Sequence, residues 1–170
     1  TYPDGDADAA WYVTNGLLPV ELISGQLQLG DAQFEQRAPA QINVAGDPDD
    51  PQAPTYASLG HALSQPATPP GTSLTQRIDR NGQISDDPSL TAQGALAGVL
   101  VPQTGHTIAA PFAADLAGDL TVTGYPITEA YWATVKVAGT PRDVLLQCFE
   151  RRCLTWTPGN PAGWLVESGN

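Results

Sequence analysis

The sequence predicts a mainly β fold of the α+β class: short antiparallel meanders and hairpins in two related β units, with a few short helices. Three observations carry this. The chain holds 17 Gly and 16 Pro in 170 residues, more punctuation than a helical bundle tolerates. Between those breakers, apolar residues recur with period two. The order of turn and strand signals near the N-terminus is echoed near the C-terminus.

The strongest alternation lies between Thr123 and Pro158. A Gly124-Tyr125-Pro126 turn leads to Val135 and Val137 flanking Lys136, and Ala138-Gly139-Thr140-Pro141 is a turn cluster. Val144–Phe149 and Arg152–Thr157 are the next two strands. A tight turn centred on Glu150-Arg151 sets Phe149 opposite Arg152 and Cys148 opposite Cys153. Val144, Leu146, Cys148, Cys153 and Thr155 then share one face; Leu145, Gln147, Phe149, Leu154 and Trp156 share the other. Both faces are substantially apolar, so the sheet is expected to be covered on both sides.

In chain order, Trp11–Leu18 is apolar and followed through Asn15-Gly16, a turn signal. Val20–Leu29 alternates and reads as strands around Ser24-Gly25, with Ala32–Arg37 and Ala40–Val44 as a further pair. Tyr56–Leu63 fits a short helix. Ser64–Thr72 is a Pro/Ser/Thr loop, able to carry O-linked sugars. Asn81-Gly82, between alternating residues, predicts a type I′ hairpin. Asp86-Asp87-Pro88 is a helix start with a carboxylate cap and Pro in the first turn, and the helix is expected to run through Leu90, Leu96 and Leu100 to Pro102. Ala109–Leu116 suggests a second short helix. The units are therefore an N-terminal β unit (1–46), a connector with hairpin and helix (47–102) and a C-terminal β module (103–170), packed as one domain. The echo pairs Gly16-Leu-Leu-Pro-Val-Glu21 with Gly124-Tyr-Pro-Ile-Thr-Glu129, and Gln33-Phe-Glu-Gln-Arg37 with Gln147-Cys-Phe-Glu-Arg-Arg152, consistent with an internal duplication.

Seven basic against 18 acidic residues give a net charge of −11. Such a surface repels nucleic acid and anionic lipid, and no apolar run is long enough for membrane insertion. A single lysine, an acidic pI and a Met-free chain starting at Thr1 fit a processed protein at the cell surface or outside the cell.

A resemblance emerges when the motifs are set side by side. Thr104-Gly105-His106, Gly124-Tyr125-Pro126-Ile127 and Gln147-Cys148-Phe149-Glu150-Arg151 resemble a module recurrent in secreted proteins of filamentous green non-sulfur bacteria, a family with no established activity. Val13–Leu18 and Ala45-Gly46-Asp47-Pro48 are similar to what precedes that module. More distantly, Thr123–Pro126 and Phe149–Trp156 are similar to LGFP repeats of cell-wall proteins, with Arg152 in place of the hairpin glycine and Thr155 in place of the tyrosine. That likeness implies association with the cell envelope and no catalysis.

Candidate sites follow from residue chemistry. Cys148 and Cys153 either form a cross-strand disulfide, which a secreted chain favours, or pack as two thiols; no second ligand pair supports zinc. Asp4, Asp6 and Asp8 alternate as in calcium loops but lack the downstream Glu, so a solvated acidic tail is the simpler reading; Asp47, Asp49 and Asp50 form a second oxygen-rich cluster. Apart from calcium, no cofactor is implied. Tyr125, Tyr131, Trp132, Trp156 and Trp164 either stack on sugar rings or fill the core. His61 and His106 are the only histidines; His106 is expected to bond a backbone carbonyl. Glu129 and Glu150 are a carboxylate pair whose separation decides any glycosidase role. The expected function is a non-catalytic structural or adhesive surface protein. It contacts envelope polysaccharide, or identical subunits in an extracellular filament or sheath. A hydrolase of surface polymers and a calcium-dependent interaction module are the alternatives.

Overall fold

The computed structural model describes residues 18–30 and 32–170; the Asn15-Gly16 turn and the Asp4, Asp6, Asp8 triplet lie outside the described residues. Helix α1 (Leu18–Ser24) is followed by strands β1 (Gln26–Gly30) and β2 (Gln33–Gln36) and a 3₁₀ helix over Tyr56–Ser64. Next come β3 (Gln76–Ile78), β4 (Ile84–Asp86), a 3₁₀ helix over Pro88–Gln93, β5 (Ala97–Val101), β6 (His106–Ala109) and α2 (Ala110–Leu116). The described chain closes with β7 (Tyr131–Val137), β8 (Thr140–Cys148), β9 (Cys153–Trp156) and β10 (Val166–Ser168). Strand accounts for 35% and helix for 19%, with several antiparallel sheets, so the mainly β expectation holds.

The central sheet has six strands in the order β10-β9-β8-β7-β3-β4. All its pairs are antiparallel except β3–β7, which meet in parallel at Arg77 and Trp132. β1–β2 and β5–β6 form two separate antiparallel pairs. The β7–β8 hairpin turns on Ala138 and Gly139, with φ of 50° and 76°, the pair of left-handed residues that a type I′ turn demands. Asp47 holds that turn from outside: its Oδ1 accepts from the amide of Ala138 at 2.9 Å and its Oδ2 from that of Gly139 at 2.7 Å.

The β8–β9 register is the one read from the sequence, with Cys148 opposite Cys153 and Leu146 opposite Thr155. The two cysteines are joined in a disulfide, Cα atoms 3.9 Å apart. Val144, Leu146, Cys148 and Cys153 pack with Ile23, Tyr56, Leu59 and Tyr131 on one face. Leu145, Phe149 and Leu154 pack with Ile108, Phe112 and Trp132 on the other. Each such side chain contributes about 1.5–3 kcal/mol by leaving water, so both faces of β8 stabilise the fold. The Trp132 indole also donates to the carbonyl of Leu74 at 2.7 Å.

Four expectations are corrected. Residues 20–24 are helical, because Pro19 and Ile23 bury one face of a seven-residue helix and Gly25, at φ 73° beside the Arg37 carbonyl, ends it. Ala40–Val44 makes one bridge, Asn43 to Thr55, because the Asn43 amide donates to the carbonyls of Asp47 and Asp50 and rolls the chain into a loop. The helix begun by Asp87 and Pro88 stops at Gln93 with left-handed Gly94, and Ala97–Val101 is strand β5 with β-branched Val99 and Val101. At the β3–β4 turn only Gly82 has positive φ; the Gly82 amide donates to the Asp79 carbonyl at 3.0 Å, a type I turn with a glycine bulge in place of type I′. The echoed segments also differ in shape: Leu18–Glu21 is helical and Gln33–Gln36 wholly exposed, whereas Gln147–Phe149 is wholly buried.

Candidate functional site

Two of the module motifs, Gly124–Ile127 and Gln147–Arg151, form one clamp. Gly124, at φ 72°, sits so close to Glu150 that a Cβ would lie 2.7 Å from that residue's own Cβ. The Tyr125 amide donates to Glu150 Oε2 at 3.1 Å, and the Glu150 amide returns a bond to the Tyr125 carbonyl at 2.9 Å. Pro126 bridges to Phe149, and the Ile127 amide donates to the Cys148 carbonyl. Glycine is required because only it fits both the left-handed backbone and the approach. Glu150 thus ties down the Gly-Tyr turn, and among the described residues no shared hydrogen-bond partner joins it to Glu129.

Glu129 anchors a second, buried knot. Its Oε1 accepts from the Thr107 amide at 2.9 Å and lies 3.1 Å from His106 Nδ1, and its Oε2 accepts from the Thr68 amide at 2.9 Å. His106 therefore meets a carboxylate, correcting the expected backbone carbonyl. Burial pushes the Glu129 carboxyl up, but bonds from His106, Thr68 and Thr107 outweigh it and hold the group below the usual glutamate range. A general acid needs the opposite displacement. Beside it, buried Gln147 accepts from the Ala109 amide and donates to the carbonyls of Thr107 and Thr128, which staples β6 to the central sheet.

The acidic loop is spent on backbone. Asp50 is buried, yet the amides of Gln52 and Lys136 and the charges of Lys136 and Arg80 keep its carboxyl below the ordinary value. Asp47 caps the β7–β8 turn. Among the described residues, no three His, Cys, Asp or Glu side chains converge as a metal site.

The aromatics divide by depth. Tyr131 and Trp132 are 1% and 0% exposed, so they are core residues and cannot stack on a ring in solvent; for them the sugar-platform expectation is corrected. Tyr125 is 39% and Trp164 65% exposed. Trp156 is half-buried, edge-on to Trp132 at 5.9 Å. It lines an open cleft of about 290 Å³ with Pro111, Asp115, Gly163 and Leu165, so Trp164 lies on the loop forming that cleft's rim. The Trp164 amide donates to the Pro161 carbonyl, and the Asn160 side chain to the Trp164 carbonyl; the rim is a closed turn. Asp115, on α2, is the polar member that sequence reasoning missed; nothing in the periodicity of α2 tells that it faces a tryptophan 41 residues on.

A second cleft, of about 340 Å³, opens between the 65–76 loop and the start of β7. Asp86, Glu129 and Tyr131 line it together with Thr68, Ser73 and Thr75. Its residues come from three parts of the chain, which explains why no motif announces it. His61 is exposed on the 3₁₀ helix, remote in role from either cleft. Comparison of the chain with family models, characterised proteins and solved structures finds no match.

Proposed function

We propose that this protein is a non-catalytic, secreted surface module that contacts envelope polysaccharide through the Trp156 cleft and the exposed Trp164 beside it. The observation carrying the reading is Trp164: an indole 65% exposed on a hydrogen-bonded rim beside a cleft walled by a second tryptophan. A large aromatic held in water loses the burial it would gain in a core; a pyranose ring laid on it recovers that contact. Asp115 supplies an acceptor for sugar hydroxyls, giving the mix of apolar wall and few polar groups typical of small-ligand clefts. The motif resemblance to secreted proteins points the same way, as does the Cys148–Cys153 disulfide, since such bonds persist in oxidising compartments.

The test is co-sedimentation with insoluble cell-envelope polysaccharide. The wild-type chain is expected to pellet with the polymer, and Trp164→Ala, a surface change, to lose at least tenfold in affinity with an unaltered melting temperature. Equal pelleting of the two proteins removes the cleft from the reading.

Self-association is the second reading, favoured by one feature. Leu96, Val99 and Leu100, 43–55% exposed, leave apolar side chains in solvent at and beside β5, and exposed apolar surface of this kind favours contact with another chain.

A further inference from the structure

We infer that the turn joining β8 to β9 binds the oxyanions of an acidic polysaccharide through Arg151 and Arg152. The inference deepens the polysaccharide reading by naming the charge of the polymer. It rests on that reading for the choice of a sugar chain, but it uses neither Trp156 nor Trp164.

The first observation is two cations without counter-charges. The chain holds seven basic residues against 18 acidic ones, so carboxylates are abundant. Arg37 and Arg77 are paired with them. Arg80 is spent on the Asn43 side chain and on the carbonyls of Asp50 and Ala53. Arg151 and Arg152, consecutive in the chain, have no carboxylate within ion-pair distance among the described residues. The neighbouring acid, Glu150, has its Oε2 on the Tyr125 amide.

The second observation is which donors are left over. Each guanidinium is anchored by Nη1 alone: Arg151 donates to the Thr121 carbonyl, and Arg152 to Ser168 Oγ at 3.4 Å. The edge formed by Nε and Nη2 remains in both, and such an edge offers two parallel N–H groups to a planar oxyanion. Both Nε atoms are sealed from solvent and have no hydrogen-bond partner. The Nη2 atoms make no bond among the described residues and are not sealed, so each edge is open at one end. A buried donor without an acceptor calls for an explanation, and an ion that completes it is one. The same edge is unfilled on two successive arginines.

The layout fits an extended chain. Arg152 leans toward β10 through Ser168. Arg151 leans toward the 121–125 segment on the other side of the turn, where its amide also donates to the Thr123 carbonyl at 2.9 Å. In that segment the Glu150 clamp fixes Tyr125, 39% exposed. Two forks and a ring at one end of the central sheet match a sugar polymer with an oxyanion on successive units, one ring lying on Tyr125. The net charge of −11 opposes a polyanion at a distance, but at about 0.15 M salt exposed charges are screened beyond about 8 Å, and contact pairs persist.

The experiment titrates the full chain at that ionic strength with oligogalacturonate, with a sulfated dextran oligomer and with neutral dextran oligomer, read by calorimetry and amide chemical shifts. At least one acidic oligomer is expected to bind tenfold or more tightly than neutral dextran and to shift the amides of Tyr125, Arg151, Arg152 and Ser168. Which of the two binds names the anion as carboxylate or sulfate. Arg151→Gln with Arg152→Gln together are expected to weaken binding at least tenfold, and Lys at both positions, which keeps the charge but not the fork, three- to tenfold. Arg152→Gln alone gives up only the long bond to Ser168 and is expected to weaken binding about threefold at an unaltered melting temperature, which keeps the test open if the double variant folds poorly. Binding of neither acidic oligomer, equal binding of all three, or binding unchanged in the Gln variants would each overturn the inference. A dimer that Arg152→Gln splits, with no oligomer bound, would give the arginines to a second copy of the chain. Polymer pelleting that depends on Trp164 survives all of these outcomes, and its loss leaves acidic-oligomer binding at Arg151 and Arg152 standing, so the two readings fail separately.

Discussion

At the scale of single residues, carboxylates in this chain act mostly as fasteners for backbone amides. Asp47 is the clearest case, because it stabilises a left-handed alanine. Ala138 at φ 50° carries a penalty of about 1–2 kcal/mol relative to a residue suited to that region. Ala138→Asn creates the Asn-Gly pair that type I′ turns prefer and is expected to raise stability by about 1 kcal/mol, read as a higher denaturant midpoint at constant slope. Asp47→Ala leaves two amides without their charged acceptor and is expected to cost about 1–2 kcal/mol. A melting curve for Asp47→Ala that overlays wild type would show that the turn holds itself. Glu129 carries more weight. Its carboxyl is held low in the folded state, so its contribution is present above the ordinary glutamate pKa and disappears as pH falls through the folded value. Glu129→Gln is therefore expected to cost about 2–4 kcal/mol near pH 7, with the gap to wild type closing below about pH 4. A gap that stays constant down to pH 2 would assign the loss to shape and not to charge.

Among the elements, the attachment of the β3–β4 hairpin is the point where one side chain does what a ladder usually does. β3 pairs with β7 at a single position. Arg77 reinforces it with both terminal nitrogens on the Asp143 carboxylate at 2.9 Å and Nε on Asp87 at 2.8 Å. The Asp143 bonds come first among the effects that raise the Arg77 pKa. Lysine keeps the charge but not the planar fork. Arg77→Lys is expected to cost about 1 kcal/mol and to speed amide exchange at Ile78 and Ile84 before the β7–β9 amides respond. Uniform exchange throughout the sheet would mean that the hairpin is held by packing alone. The same hairpin shows what the sequence makes legible. Asn81-Gly82 marks the turn, because a breaker between alternating residues is local information. The turn type is not local: Gly82 packs against the backbone of Ser58, where a Cβ would fall 2.5 Å from the carbonyl oxygen, and Asn81 is left at negative φ. Likewise Cys148 and Cys153 could be set opposite each other from alternation on both sides of Glu150-Arg151. Leu90, Leu96 and Leu100 mimic helical spacing, but Gly98 lies against Ile108 and Ala110, with 2.8 Å from a Cβ to the Ile108 carbonyl oxygen, a close approach between strands that periodicity cannot report. The Glu129 knot draws on Thr68, His106 and Thr107, and no window of sequence contains all four.

For the whole molecule, charge imbalance sets the behaviour. The chain carries 18 acidic residues against seven basic ones, and among the described residues Arg37 and Arg77 are the arginines in ion pairs with carboxylates. Short-range attraction is thus confined to few places, one of them exposed, while repulsion acts over the entire surface. Repulsion of this kind weakens the compact state and is relieved by screening. Raising ionic strength from about 0.01 M to about 0.15 M shortens the screening length from about 30 Å to about 8 Å. The melting temperature at pH 7 is expected to rise by about 2–4 °C, the shift produced by about 1 kcal/mol in a chain of this size. The same screening removes the charge that keeps copies apart, so the exposed apolar residues Leu96, Val99 and Leu100 should make themselves felt in the same titration: light scattering is expected to show association growing with salt, and Val99→Lys, which places a charge among them, to abolish it. A melting temperature that falls with salt would show that local ion pairs outweigh the surface field. Association unchanged by Val99→Lys would place the contact elsewhere on the surface.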